Sequence, residues 1–70
     1  MEFSQRLRKL RERKRLSRRA LAELCGLSQN MVGMYERGEK LPSVDALIAL
    51  ADFFEVSTDY LLGRKKFFSE

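Results

Sequence analysis

Apolar residues return along this chain at helical intervals, and strand-like alternation is nowhere sustained for more than a few positions. Phe3, Leu7 and Leu10 are spaced i, i+4, i+7, which predicts a first helix over roughly residues 3–14 with one apolar stripe. Leu16 closes that stripe after the helix ends. Ser17 stands where an N-cap belongs and opens a second helix running to about Cys25, with Leu21, Leu24 and Cys25 as its inward face. Gly26 can take a positive φ, Leu27 follows, and Ser28 caps a third helix from about Gln29 to Arg37 that Gly38 ends. Residues 38–42 form the one real loop, in which Pro42 makes Leu41 extended before Ser43 caps a fourth helix. That helix is the most apolar. Val44, Leu47, Ile48, Leu50, Ala51 and Phe54 cover more than one of its faces, so it is expected to be the central packing element. Ser57 caps a short fifth helix that buries Tyr60, Leu61 and Leu62 and stops at Gly63. The pattern is all-α, a five-helix bundle over residues 1–63, followed by a short tail at 64–70.

Seventy residues, 44% of them hydrophobic and 34% charged, make one core and no second domain. A chain this short buries only about 60% of the surface it exposes when unfolded, so a large enclosed active site is not expected and a dimer partner would add stability. One cysteine and no histidine leave no intramolecular disulfide, no Cys/His zinc site and no imidazole chemistry. A single thiol fits a reducing cytoplasm. The longest apolar run, Ala46 to Ala51, is far short of a membrane span, and the arginine-rich N-terminal region has no apolar segment of a secretory signal. No nucleophile has a base beside it, no glycine-rich loop is set to cradle phosphate and no carboxylate cluster is set to hold a metal. An enzyme is therefore not expected, nor is a cofactor.

The charge of +4 is unevenly placed: residues 1–40 carry +6 and residues 41–70 carry −2. Between Arg6 and Arg19 nine basic residues face one acid, Glu12. The run is read either as a solvated helix face or as a cationic end of the molecule suited to a polyanion such as nucleic acid.

Helices two and three are joined by a four-residue turn near Gly26–Gln29, which is helix-turn-helix spacing. Ala22 is small where a second helix must come close, Gly26 follows four residues later where the chain reverses, and Val32 points back six residues further on. The runs Ser17–Gln29 (SRRALAELCGLSQ), Tyr35–Gly38 (YERG), Pro42–Ser43 and Val56–Gly63 (VSTDYLLG) together resemble the phage-repressor and Cro-type helix-turn-helix family. The likeness covers residues 3–63.

The resemblance implies a lambda-repressor-like domain that binds double-stranded DNA sequence-specifically as a transcriptional regulator. A repressor is the preferred reading, acting as a homodimer on a pseudo-palindromic operator with the third helix in the major groove. Carried over by position, it assigns base edges to Gln29, Asn30, Gly33 and Met34, and phosphates to Ser17, Arg18, Arg19, Arg37 and Lys40. Gln29 and Asn30 are otherwise ordinary exposed amides near a helix start, and Arg19 an ordinary solvated side chain. Arg11 and Glu36 match a structural ion pair between helix one and the end of helix three. Dimer contacts fall on Phe53, Thr58, Tyr60 and Leu62, with Phe67 and Phe68 either joining them or packing over the end of their own bundle.

The chain departs from the family pattern in places. Arg15 stands where many members have Gly, and Gly33 interrupts the recognition helix, either to let the DNA backbone approach or as a tolerated residue. Met31 and Met34 replace commonly polar residues; Met34 has either a thymine methyl or its own helix to contact. Cys25 is read as a buried, inert thiol and Tyr35 as core. A second reading keeps the fold but makes it a protein-interaction module, an antitoxin-like or anti-repressor partner with weak DNA binding. A membrane-surface role for the basic first helix is set aside because Phe3, Leu7 and Leu10 are needed in the core. Any control of activity is expected to act through concentration, proteolysis or a partner protein.

Overall fold

Each helix is started by a serine or stopped by a backbone reversal that the local sequence supplies. The computed structural model describes residues 2–64, in the order α1 Glu2–Arg13, α2 Arg18–Cys25, α3 Gln29–Glu36, α4 Val44–Phe54 and α5 Thr58–Leu61. The backbone amides of Ala20, Met31, Ala46 and Tyr60 donate to the hydroxyls of Ser17, Ser28, Ser43 and Ser57 at 2.9–3.1 Å, so α2 to α5 all begin on a capping serine.

The helices end alike. A residue in the left-handed region follows each one, and the next amide reaches back to a carbonyl five residues earlier: Leu16 to Arg11, Leu27 to Ala22, Glu39 to Met34, Val56 to Ala51 and Arg64 to Asp59. Three of the left-handed residues are glycines, but Arg15 and Glu55 adopt φ 58° with a full side chain. The Arg15 reversal is therefore made without the glycine common at that position in the family.

Phe3, Leu7 and Leu10 of α1, Leu21 and Ala22 of α2, and Val32 and Tyr35 of α3 form the core with Ala46, Leu50, Ala51 and Phe54 of α4, Val56 and Leu61. The Phe3 and Tyr35 rings meet edge to face with centroids 5.8 Å apart. The element that packs most extensively is α3, lying against both α1 and α2, whereas α4 packs on α2 and α5. This corrects the expectation for α4. Its inward face is Ala46, Leu50, Ala51 and Phe54, and at about 100° per residue Val44 and Ile48 fall on the other side, 72% and 47% exposed. Leu24 is corrected for the same reason. The inward arc of α2 runs through Leu21, Ala22 and half-buried Cys25, leaving Leu24 59% exposed.

Phe53, Thr58, Tyr60 and Leu62 are half-buried. Arg6 lies over the Tyr60 ring at 4.5 Å and Lys14 over the Phe53 ring at 5.7 Å, which ties these aromatics to α1 and to the residue that follows it. Phe67 and Phe68 lie outside the described residues. No helix among the described residues is long and apolar enough to cross a membrane.

Candidate nucleic-acid interface

Two short helices and the turn between them bring the candidate residues together. The α2 helix stops at Gly26, φ 71°, Ser28 starts α3 two residues later, and the first turn of α3 carries Gln29 and Asn30, both exposed. Val32 and Tyr35 lock the opposite face of α3 into the core.

An open depression of about 470 Å³ is lined by Arg18, Gln29, Asn30, Gly33 and Arg37. Five of the candidates thus share one surface. Met34 is half-buried and Ser17, Arg19 and Lys40 are exposed, but none of these four lines the depression. The Ser17 hydroxyl is engaged as the α2 cap, and Arg19 pairs with Glu23 one turn on at 3.5 Å.

Beneath this surface lies a charge cluster. Glu36, at the end of α3, has a carboxylate closed to solvent. Arg11 Nε donates to Glu36 Oε2 at 2.6 Å and Arg11 Nη2 to Oε1 at 3.0 Å, while Arg11 Nη1 donates to the Leu16 carbonyl at 2.8 Å. Arg18 Nε donates to Glu36 Oε1 at 3.0 Å. One carboxylate therefore holds two guanidiniums, and the cluster keeps a net positive charge. The hydrogen bonds to Glu36 raise the Arg11 pKa against the opposing effect of its burial. Arg11 is almost enclosed, whereas the Arg18 side chain is 40% exposed and opens into the depression.

A second pair closes the other end. Arg37 Nε and Nη2 donate to the two carboxylate oxygens of Glu39 at 3.0 and 3.1 Å. The bond from Arg37 holds Glu39 below the usual carboxylate range, and Glu39 in turn raises Arg37. Sequence reasoning missed Glu39. The signal was present in the order Arg37-Gly38-Glu39, because a left-handed Gly38, φ 75°, folds the chain so that residues two apart face each other.

The basic run of the N-terminal third is not one surface. Arg11 and Arg18 serve the α3 side, while Arg6, Lys9 and Arg13 line a separate cleft of about 200 Å³ with Gln5, Leu10 and Tyr60. Cys25 is half-buried and burial pushes its thiol pKa up, which disfavours the reactive thiolate. Among the described residues no group of three or more His, Cys, Asp or Glu side chains is placed to hold a metal ion.

Comparison with known proteins agrees with the fold. A helix-turn-helix family model matches residues 7–61. The HTH-type transcriptional regulator YobD of Bacillus subtilis is 43% identical over 61 residues, covering 87% of this chain and 54% of that protein, so the chain spans about half the length of that relative. Among solved structures, the P22 c2 repressor in complex with a synthetic operator superposes with a TM-score of 0.87 at 29% identity, covering 93% of this chain and 98% of that one. The restriction-modification controller protein C.AhdI of Aeromonas hydrophila gives 0.78 at 40% identity, covering 86% of this chain and 91% of that one. With five helices, the α2-turn-α3 geometry and a family match over most of its length, this chain belongs to the phage-repressor and Cro-type helix-turn-helix family.

Proposed function

We propose that this chain is a sequence-specific double-stranded DNA-binding transcriptional regulator, a repressor, that docks α3 in the major groove as a homodimer. The observation that carries the reading is the shared depression, where two outward amides at the start of α3 sit beside an arginine anchored from below by a buried carboxylate. Each amide has a donor and an acceptor and suits the N6 and N7 edge of adenine, a bidentate pair worth about 1–3 kcal/mol of discrimination. Arg18 is held by Glu36 before DNA arrives, so less side-chain freedom is lost on binding a phosphate. Ser17 and Arg18 open α2, where the helix dipole favours an anion, and Arg19 and Lys40 add charge at the margins. Met34 is assigned a thymine methyl. The P22 c2 repressor, similar over nearly its whole chain, is solved in complex with a synthetic operator, which supports double-stranded DNA as the partner.

Two-fold symmetry then sets half-sites about 34–36 Å apart, with Phe53, Thr58, Tyr60 and Leu62 at the dimer contact. The protein works without a cofactor or catalysis, in the cytoplasm. The test is selection from a randomised duplex library at about 0.15 M salt, where non-specific binding is weak. A two-fold symmetric motif with that spacing is the expected result. Failure of the folded protein to enrich any motif overturns the reading and favours the interaction module.

A further inference from the structure

We propose that Arg37 is a base-reading residue aimed by Glu39, and that Gly33 and Glu39 together are specificity determinants of this chain. The inference rests on the DNA-binding reading above and changes the role of Arg37 from phosphate anchor to guanine reader.

The geometry begins at the end of α3. Arg37 follows the last residue of that helix, and helical side chains lean toward the N-terminus, so it runs back over the residue four positions earlier. That residue is Gly33. A Cβ placed there would lie 3.0 Å from Arg37 Nη1, so the missing side chain is what lets the guanidinium lie across the outer face of α3. Arg37 thereby reaches the depression it shares with Gln29 and Asn30, the residues assigned to base edges.

Glu39 fixes the orientation of the fork. It takes Nε and one hydrogen of Nη2, and a guanidinium has five N–H donors. Both hydrogens of Nη1 and the second of Nη2 stay available, and these form the end-on edge that pairs with guanine O6 and N7. The charge argues the same way. Arg37 and Glu39 pair one to one and carry no net charge, unlike the cluster in which Glu36 is shared by Arg11 and Arg18 and a positive charge remains, so the Arg37–Glu39 pair is a poor backbone anchor. Beside a base edge, which carries no formal charge, it is an orienting device. Lys40 lies just beyond and is paired with no acid among the described residues.

The test uses the whole chain and the duplex that the wild type enriches from a random library, changed one base pair at a time. Glu39 and Arg37 are exposed, so Arg37→Ala and Glu39→Gln are expected to fold, and a melt of each checks this. Arg37→Ala is expected to lose roughly 5- to 150-fold discrimination at one G·C pair per half-site, with its affinity for duplexes altered at that pair unchanged. Glu39→Gln is expected to weaken discrimination at the same pair and to steepen the salt dependence by about one unit, as the released arginine finds a phosphate. If Arg37→Ala weakens all duplexes equally and flattens the salt dependence, or if Glu39→Gln matches wild type at every position, the inference is overturned while DNA recognition stands. If the wild type enriches no motif at all, both fall.

Discussion

Arg18 Nε and Arg11 Nη2 meet on the same oxygen, Glu36 Oε1, each at 3.0 Å. The contact couples the start of α2 and the last turn of α1 to the end of α3 through a carboxylate with no exposure to solvent. Removing that carboxylate leaves the nearly enclosed Arg11 without its partner. Breaking one side of a buried pair costs about 3–5 kcal/mol, a large share of the stability of so small a domain. Glu36→Ala is therefore expected to lower the denaturant midpoint sharply with little change in slope. A loss under about 1 kcal/mol would show that the cluster is not holding the helices together.

Much of this was legible in the sequence, because the signals were local. Each of Ser17, Ser28, Ser43 and Ser57 caps the helix it precedes, and Gly26, Gly38 and Gly63 take the left-handed turn after a helix. What was not legible depends on facing direction. Val44 and Ile48 are as apolar as their buried neighbours, and only the packing of α4 on α2 and α5 decides that they face out. Arg15 and Glu55 adopt the left-handed conformation against their own preference, since the tertiary position of the next helix requires the turn. At the candidate site, Arg11, Glu36 and the α3 residues could be placed by resemblance, but the hold of Glu36 on Arg18 and of Glu39 on Arg37 required the fold.

The left-handed Arg15 carries a steric cost of about 1–2 kcal/mol that a glycine avoids, partly offset by about 0.5–1 kcal/mol of extra chain entropy lost on folding. Arg15→Gly is expected to stabilise the domain by about 0.5–1 kcal/mol, read as a higher midpoint in urea. Because Arg15 is exposed and its side chain is in no ion pair among the described residues, an unchanged or lower midpoint would mean the reversal is not strained.

Tyr35 is fully enclosed, and its hydroxyl has no hydrogen-bond partner among the described residues. An unsatisfied buried polar group costs about 1–3 kcal/mol, so Tyr35→Phe, which keeps the edge-to-face ring on Phe3, is expected to melt at the same temperature or higher. Burial also raises the Tyr35 pKa. The neutral phenol is favoured in the fold, so its contribution is full below about pH 10, the unfolded value, and is lost as pH rises from there. Wild type is expected to lose stability more steeply than Tyr35→Phe above that pH. Parallel curves would count against the burial of the hydroxyl.

The half-exposed Arg18 pair with Glu36 adds little stability of its own, on the order of 0–1 kcal/mol, and Arg11 remains to hold the carboxylate. Arg18→Ala is therefore expected to fold and melt close to wild type. On DNA it is expected to weaken binding to all duplexes alike and to reduce the slope of log K against log salt by about 0.9 per protomer, the signature of one lost phosphate contact. A change confined to particular base pairs would place Arg18 on a base edge instead.

Gly33 separates stability from recognition. In a helix interior, glycine is about 0.8–1.0 kcal/mol less favourable than alanine, and the atoms an added methyl would meet all belong to the flexible, exposed end of Arg37. The side chain can yield, so Gly33→Ala is expected to raise the melting temperature by several degrees, at about 4–8 °C per kcal/mol for a domain of this size. The same methyl pushes Nη1 away from the outer face of α3 and disturbs its alignment with Glu39. Discrimination is then expected to fall at the base pair sensitive to Arg37→Ala, while non-specific affinity and its salt dependence stay at the wild-type level. A variant that is more stable and yet reads DNA as wild type does would remove Gly33 from the specificity machinery. One that is less stable would mean that Arg37 is held too firmly to move, which a double variant with Arg37→Ala resolves by restoring the gain.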